Sequence, residues 1–251
     1  MPNSDLVETF RADGYVCIPG FLDAGTVAAV LERIAAIRDG RIGCIPDEMV
    51  YFEDKADQST LKQVQHLDRW DPLFHDLMFD AAAERLAETL LGDRVVGRNM
   101  QYFNKPPGVG RPTPPHQDGF YFMLEPCEAV TMWLALEPVD EATGCVRYLR
   151  GSHAGGLQPH SRTQVLGFSQ GVDGFDALSQ RFPEVAFPAE PGTLLAHHAL
   201  TVHRADGNRS DDRSRQALGF IYYAARAQED RARHQAYQAA LAADLAADGR
   251  I

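Results

Sequence analysis

The stretch PTPPHQDGFYF, residues 112–122, places a histidine and an aspartate two positions apart, behind three prolines and ahead of an aromatic run. The run is typical of a β-strand, in which side chains two positions apart point to the same face. His116 and Asp118 are therefore predicted to project together, with Gln117 on the opposite face. An imidazole and a carboxylate at one point are two ligands of a metal ion. The alternative is a surface histidine beside a turn-capping aspartate, because Gly119 follows.

Short β-type runs, separated by Gly, Pro, Asp and Asn, surround this stretch. They are RVVGRNMQYFN (94–104), GFYFML (119–124), AVTMWLALEPV (129–139), GCVRYLRGS (144–152), GTLLAHHAL (192–200) and RQALGFIYYAA (215–225). Many short strands with turn residues between them are typical of a β-sandwich or barrel. The predicted fold class is therefore mainly β with flanking helices, an α+β arrangement.

Helical patterns occupy the N-terminal part of the chain. Residues 4–14 predict a short helix that Ser4 or Asp5 caps and Gly14 ends. Residues 23–40 predict an amphipathic helix that closes at its terminal glycine. Its apolar stripe consists of Val27, Val30, Leu31, Ile34 and Ile37.

Later segments complete the predicted organisation. A helical pattern covers 72–92, and an Ala-rich segment over 227–246 predicts a closing helix. The polar stretch over about 154–190, rich in Gly, Ser and Gln, predicts an insertion or lid over one end of the barrel. We expect one domain over 1–251, divided into a helical support region (1–92), a β core (93–226) and a C-terminal helix (227–251).

Composition limits the classes of partner and the compartment. The 251 residues carry a formal net charge of −11, which disfavours nonspecific binding to nucleic acid or to acidic membranes. The start of the sequence lacks a signal-peptide pattern, and no apolar run approaches 18 residues. The scattered cysteines predict reduced thiols in the cytosol. They are Cys17, Cys44, Cys127 and Cys145.

A second motif, PGTLLAHHALTVHRADGNRSDDRSRQALGF (191–220), provides candidates for a third metal ligand. Two imidazoles and one carboxylate on one face of an octahedron are typical of non-haem Fe(II) oxygenases. His197 and His198 compete with His203, which is followed about ten residues later by arginine. An arginine can pair in a fork with the far carboxylate of a dicarboxylate that chelates the metal. This spacing favours His203.

Three blocks resemble, in order and spacing, the phytanoyl-CoA dioxygenase family of Fe(II)/2-oxoglutarate oxygenases. The blocks are FNKPPGVGRPTPPHQDGFYF (103–122), WLALEPVDEATGCVRYLRGSHAGGLQPH (133–160) and PGTLLAHHALTVHRADGNRS (191–210). The resemblance extends from DGYVCIPGF near the N-terminus to about residue 225. It implies a double-stranded β-helix, that is, a jelly-roll or cupin-like core, with an N-terminal helical layer.

The resemblance also implies a ligand set. His116, Asp118 and His203 correspond to the iron ligands. Arg215 corresponds to the arginine that binds 2-oxoglutarate, and Arg213 is the alternative because the preceding turn is about one residue longer than usual.

Further 2-oxoglutarate contacts are implied at Lys62, Gln101, Gln117 and Trp133. Core packing is the alternative for Trp133, and a solvated charge at a helix end is the alternative for Lys62. Gln101 matches a position that the family does not restrict to one residue type.

The chain departs from the family pattern at some positions. Ala205 stands where the family often has serine, which removes one hydroxyl contact to the cosubstrate, and Pro115 stands where a bulky residue is frequent. Asp118 is retained, whereas related halogenases replace it, so hydroxylation is favoured over halogenation. His153 and His160 lie in family blocks as turn residues or substrate contacts, and a structural role is favoured for His153.

The predicted function is hydroxylation of an unactivated C–H bond of a small organic substrate. The reaction would use Fe(II), 2-oxoglutarate and O2 and release succinate and CO2. The alternative is a cupin-like protein that binds a metal or ligand without turnover. A zinc hydrolase is disfavoured because the chain lacks an HExxH motif. The sequence leaves the substrate and the oligomeric state open.

Overall fold

The computed structural model describes residues 3–165 and 167–247, and all the elements named here lie in those ranges. The helices are α1 Asn3–Asp13, α2 Ala24–Gly40, α3 Pro72–Met78, α4 Ala81–Leu91, α5 Asp118–Phe122, α6 Phe175–Arg181 and α7 Arg231–Ala247. The strands are β1 Tyr15–Ile18, β2 Val50–Phe52, β3 Leu61–Val64, β4 Val95–Lys105, β5 Thr113–His116, β6 Leu124–Glu125, β7 Ala129–Ala135, β8 Val146–Leu149, β9 His160–Val165, β10 Phe168–Val172, β11 Glu184–Phe187, β12 Leu194–His198, β13 His203–Ala205, β14 Arg215–Ala224 and β15 Gln228–Glu229.

Two antiparallel sheets form the body of the fold. The larger has seven strands in the order β1-β12-β7-β14-β4-β3-β2, and the smaller has four in the order β11-β8-β13-β5. Two short pairs, β9 with β10 and β6 with β15, lie beside them. The predicted mainly β, jelly-roll core with an N-terminal helical layer is confirmed.

The alternation of side chains along the large sheet separates two cores. In β7, Met132 and Leu134 belong to a cluster under the helices, whereas Trp133 belongs to a cluster between the two sheets. The same period of two places Leu194 and Leu195 on opposite faces of β12. Polar residues that share the inner face of the large sheet therefore face the space between the sheets.

The N-terminal helices form mostly as predicted. Asp23 caps α2 by accepting hydrogen bonds from the amides of residues 25 and 26, and the predicted apolar stripe packs on the large sheet. Gly14 ends α1 with a φ of +84°. The predicted caps Ser4 and Asp5 are wrong, because α1 already includes Asn3 and both residues lie in its first turn.

Two predicted elements have different boundaries. The helical pattern over 72–92 is two helices, because Asp80 accepts a hydrogen bond from the amide of Ala82 and so starts α4. The closing helix begins at Arg231 and not at 227, and the predicted helical residues 248–251 lie outside the described ranges.

The strand predicted over 119–124 is wrong, since α5 occupies most of it. Short aromatic runs do not distinguish a strand from a helical turn by their period. Tight packing favours the turn: the amide of Gly119 donates to the carbonyl of Ala199, and a Cβ on Gly119 would lie 2.5 Å from Cys127 Sγ. Asp118 is consequently the first residue of a helix and not a strand residue.

Two predicted regions contain more regular structure than expected. Residues 1–92 carry helices and also the strands β1, β2 and β3 of the large sheet. The segment 154–190 contains the β9–β10 pair, α6 and β11, and β11 pairs with β8 in the smaller sheet. No helix in the described ranges is both long enough and apolar enough to cross a membrane.

A buried leucine and an exposed one provide a matched test of this packing. Leu134 is fully buried and Leu157 is 48% exposed. Leu134→Ala should lower the free energy of unfolding by about 2–5 kcal/mol, because it removes apolar contacts and leaves a cavity. Leu157→Ala should change it by less than about 0.5 kcal/mol. Denaturant unfolding measures both, and equal effects would contradict the assigned core.

Candidate metal centre

Three side chains converge between the two sheets. His116 on β5 and His203 on β13 are register partners in adjacent antiparallel strands, and their ring centroids lie 4.1 Å apart. Asp118 Oδ1 lies 3.4 Å from His116 Nε2 and 3.8 Å from His203 Nε2. One ligand atom from each residue lies within 4.8 Å of the others, which is close enough to share a metal ion.

Backbone carbonyls orient both histidines. His116 Nδ1 donates to the carbonyl of Pro114 at 2.9 Å, and His203 Nδ1 donates to that of Thr201 at 3.0 Å. These bonds leave the Nε2 lone pair of each ring free for a metal, an arrangement typical of metal-binding histidines.

The charges of the cluster suit a divalent cation. Burial, and then the neighbouring His116, hold the pKa of His203 well below its usual range. Burial alone would raise the pKa of Asp118, but His203, His116 and His197 outweigh it and hold that pKa well below its usual range. Two imidazoles and an ionised carboxylate match the donor set of non-haem Fe(II) enzymes, so the residues present fit iron.

Asp118 has its second oxygen occupied. Thr131 Oγ1 donates to Oδ2 at 2.6 Å, and His197 Nε2 donates to the same oxygen at 3.1 Å. The remaining nitrogen of His197 then accepts from the Tyr148 hydroxyl at 2.9 Å. His197, a competing candidate for the third ligand, therefore lies behind the carboxylate, which has Oδ1 left for a metal.

His198, the other competing candidate, points away from the cluster. Its Nδ1 accepts from the amide of Leu200, and its ring lies 5.7 Å from that of His153. Burial, and then the nearby His153, lower the pKa of His198 to about 4. His198 is accordingly a neutral packing residue.

A buried arginine faces the cluster. Arg215 is 4% exposed and stands 5.3 Å from the Trp133 ring centroid, and its Nε has no hydrogen-bond partner within residues 3–165 and 167–247. Burial lowers its pKa to about 10, so it stays protonated at neutral pH. No carboxylate of the described residues lies within 4 Å of its side-chain nitrogens. A buried cation without an anion is unfavourable, so the position favours an anionic ligand.

The space in front of Arg215 is small. A cavity of about 80 Å³ is bordered by Arg215, Trp133 and the three candidate metal ligands. Arg213 does not reach it, because its side chain is about half exposed and pairs with Asp140 at 2.8 Å. Of the two alternative arginines, Arg215 alone lines this cavity.

The other predicted cosubstrate residues fall in different places. Trp133 and Lys62 line the small cavity. Lys62 is buried on β3, 3.3 Å from Glu53, so the alternative of a solvated charge at a helix end is wrong. Gln101 accepts a hydrogen bond from Gln63 at 2.7 Å and lines a larger neighbouring cavity.

Gln117 is not brought to the site. Its amide nitrogen donates to the carbonyls of Gly156 and Leu200, and its amide oxygen accepts from the backbone of Gln158. The side chain thus joins two loops, and its hydrogen-bonding groups are occupied. The predicted cosubstrate contact of Gln117 therefore conflicts with this geometry, although the predicted orientation away from His116 agrees with it.

The two histidines that lie in the family-like sequence blocks, His153 and His160, also make structural contacts. His153 bonds the carbonyl of Arg11 in α1. His160 Nε2 accepts from the backbone amide of Gln117. Ala205 lines the small cavity, where the serine hydroxyl common in the family is absent.

Sequence reasoning missed several polar residues of the site. Thr131 and Tyr148 support Asp118, and Lys105 is buried opposite Arg215 as its register partner on β4. Burial, then Arg215, lower the pKa of Lys105 well below its usual range. The period of two from Trp133 could have identified Thr131, but the pairing of Lys105 with Arg215 depends on the sheet.

The comparison with known proteins agrees with this geometry. The family model described as phytanoyl-CoA dioxygenase (PhyH) matches residues 10–217. The chain belongs to this family. It is accordingly an oxygenase that depends on Fe(II) and 2-oxoglutarate.

Individual relatives are moderately similar. The phytanoyl-CoA dioxygenase of Arabidopsis thaliana is 31% identical over 176 residues, a match that covers 64% of this chain and 60% of the plant protein. Phytanoyl-CoA dioxygenase 1 of Oryza sativa subsp. japonica is 29% identical over 235 residues, a match that covers 80% of this chain and 82% of the rice protein. The epimerase SnoN, whose structure was solved with Fe3+, alpha ketoglutarate and nogalamycin RO, is 27% identical in sequence and has a TM-score of 0.72. The match covers 90% of this chain and 85% of the SnoN chain.

The hydrogen bonds to Asp118 can be tested through metal affinity. His197→Leu should weaken Fe(II) binding by about 10- to 100-fold, because it removes the donor that orients the carboxylate. His197→Gln, whose amide nitrogen can reach the same oxygen, should recover most of the affinity. Anaerobic calorimetry of Fe(II) binding measures both. If the Leu and Gln variants bind equally, His197 does not act through this hydrogen bond.

The two arginines form a matched pair for 2-oxoglutarate binding. Arg215→Met should weaken 2-oxoglutarate affinity by roughly 10- to 100-fold, since a charge-assisted pair is lost. Arg213→Met should change it by less than about two-fold, because Arg213 pairs at the surface. Equilibrium dialysis with the Fe(II)-loaded protein measures the affinities. A larger loss in the Arg213 variant would reverse the assignment.

Proposed function

We propose that this chain hydroxylates an unactivated C–H bond of a small organic molecule, coupled to conversion of 2-oxoglutarate and O2 to succinate and CO2. One observation carries the proposal: the unpaired guanidinium of Arg215 lies across an 80 Å³ cavity from the cluster of His116, Asp118 and His203. A dicarboxylate that bridges the two would neutralise the buried charge.

The ligand residues have distinct roles in the proposal. His116, Asp118 and His203 would hold Fe(II), which when bound supplies the oxidation of 2-oxoglutarate and of the substrate by O2. Thr131 and His197 occupy one carboxylate oxygen of Asp118, so the other is presented to the metal. As three protein ligands, these residues would leave coordination positions of the ion open for the cosubstrate and O2.

The remaining residues bind and orient the cosubstrate. Arg215 would pair with the carboxylate of 2-oxoglutarate that lies far from the metal, and Trp133 would cover the chain between them. Lys62 lies in the same cavity beside Glu53. Phe168 packs with its ring centroid 5.1 Å from that of His116 and shields that ligand from water. Exclusion of water strengthens the charge pairing in the cavity.

Several properties of the chain remain proposals beside this activity. The four cysteines are free thiols, which supports a reducing compartment, and we retain the cytosol as the proposed location. We also retain one domain over 1–251, with support, core and C-terminal parts as predicted. A small-molecule substrate is proposed, without nucleic acid or membrane partners.

A variant pair separates this proposal from a protein that binds metal and ligand without turnover. His116→Ala should abolish succinate release from 2-oxoglutarate, by more than about 100-fold, because one of three ligands is removed. His75→Ala, at an exposed position on α3, should release succinate like the parent chain. Succinate is measured with Fe(II), ascorbate and a compound library. If no compound raises succinate release by the parent chain, the non-catalytic alternative would stand.

A further inference from the structure

The larger cavity adjoins the candidate metal ligands. It measures about 920 Å³ and runs from His116 and Asp118 past β3 and β4 to the β9–β10 pair and α7. This volume lies near the upper end for sites that enclose drug-sized ligands. A small acid would leave most of it filled with water, so the size favours a larger substrate.

The charges on the wall of this cavity balance. Apart from Asp118, the residues of the wall that the structure describes include three arginines and three carboxylates: Arg69, Arg98, Arg162, Glu48, Glu229 and Asp244. Arg98 pairs with Glu229 at 2.6 Å, and Arg162 pairs with Asp244. Arg69 and Glu48 are exposed and of opposite sign. Among the described residues, the wall therefore has no arginine or lysine in excess of its carboxylates to bind a phosphate or a carboxylate of the substrate.

One side of the cavity consists of amides. The cavity is bordered by Gln63 on β3, by Gln65 directly after it, and by Asn99 and Gln101 on β4. Gln63 is 2% exposed, and its Oε1 has no hydrogen-bond partner among the described residues, while its Nε2 donates to Gln101. A buried carbonyl oxygen requires a donor, and a hydroxyl of the substrate would provide one.

Aromatic rings form another side. Tyr121, Phe168, Tyr223 and Tyr237 border the cavity. Two of the phenols are engaged with the protein: Tyr121 donates to the carbonyl of Gln170, and Tyr237 bonds the hydroxyl of Ser169. Their rings are thereby fixed and offer flat apolar surface, on which rings of a ligand pack well.

We infer that the substrate is an uncharged, ring-containing molecule that carries several hydroxyl groups. Its flat part would lie on the aromatic side, and a hydroxyl would donate to Gln63. The inference rests on the proposed function, because it places the molecule beside the metal ligands. An acyl-CoA is excluded from this class, since its phosphates would meet a wall without surplus positive charge.

A set of fluorescent probes that differ in charge tests the inference. The probes are 4-methylumbelliferyl β-D-glucoside, the corresponding glucuronide and 4-methylumbelliferyl phosphate, which carry no charge, one carboxylate and one phosphate. Binding is measured by equilibrium dialysis with the protein loaded with Fe(II) and 2-oxoglutarate in the absence of oxygen. The glucoside should bind about ten-fold tighter than either anion.

Variants of residues on the cavity wall test whether the probes bind in this cavity. Gln63→Leu should weaken glucoside binding about three- to ten-fold, because the buried acceptor is lost. Gln180→Leu, exposed on α6, should not change it and serves as the control. Glu229→Gln leaves Arg98 without its carboxylate and should tighten glucuronide binding several-fold.

The inference is overturned if the glucuronide or the phosphate binds as tightly as the glucoside, or if the glucoside does not bind. It is also overturned if Gln63→Leu binds the glucoside like the parent chain. These outcomes leave the proposed function intact, because Fe(II) binding and 2-oxoglutarate binding are measured separately on the His197 and Arg215 variants. Failure of the parent chain to bind Fe(II) or 2-oxoglutarate would instead contradict the proposed function.

Discussion

The antiparallel pairing of His116 with His203 is the constraint on which the site depends. Register partners in adjacent strands hold the two rings 4.1 Å apart. Asp118 then needs only the turn into α5 to bring its carboxylate within 4 Å of both Nε2 atoms. A slip of one residue in this register would turn one histidine to the other face of the sheet and leave the carboxylate without a second imidazole.

The charges around the three candidate ligands favour the binding of a metal ion and of an anion. Asp118 is anionic and shares its outer oxygen with Thr131 and His197, while Arg215 keeps a buried positive charge without a protein carboxylate. A dication at the triad and a dianion between it and Arg215 would together satisfy these groups. The unbalanced buried charges of the site therefore favour the binding of Fe(II) and 2-oxoglutarate. The charged residues described on the wall of the larger cavity balance each other and do not favour a charged substrate.

The sequence predicted much of this, because the decisive signals are local. The histidine–aspartate pair, the distal histidine and the arginine at the start of β14 stand in short motifs, and the β-type runs gave the fold class. The helical turn at Asp118 was not predictable, because a short aromatic run has no distinct period and packing at Gly119 decides it. The positions of Gln117, Lys105 and Tyr148 depend on contacts between segments distant in sequence, which no local pattern specifies.

The most direct test is anomalous diffraction at the iron edge, from crystals grown with Fe(II) and 2-oxoglutarate without oxygen. We expect one iron bonded to His116 Nε2, Asp118 Oδ1 and His203 Nε2, with the far carboxylate of 2-oxoglutarate paired to Arg215. Iron bound through His197, or a 2-oxoglutarate tail directed away from Arg215, would contradict this expectation.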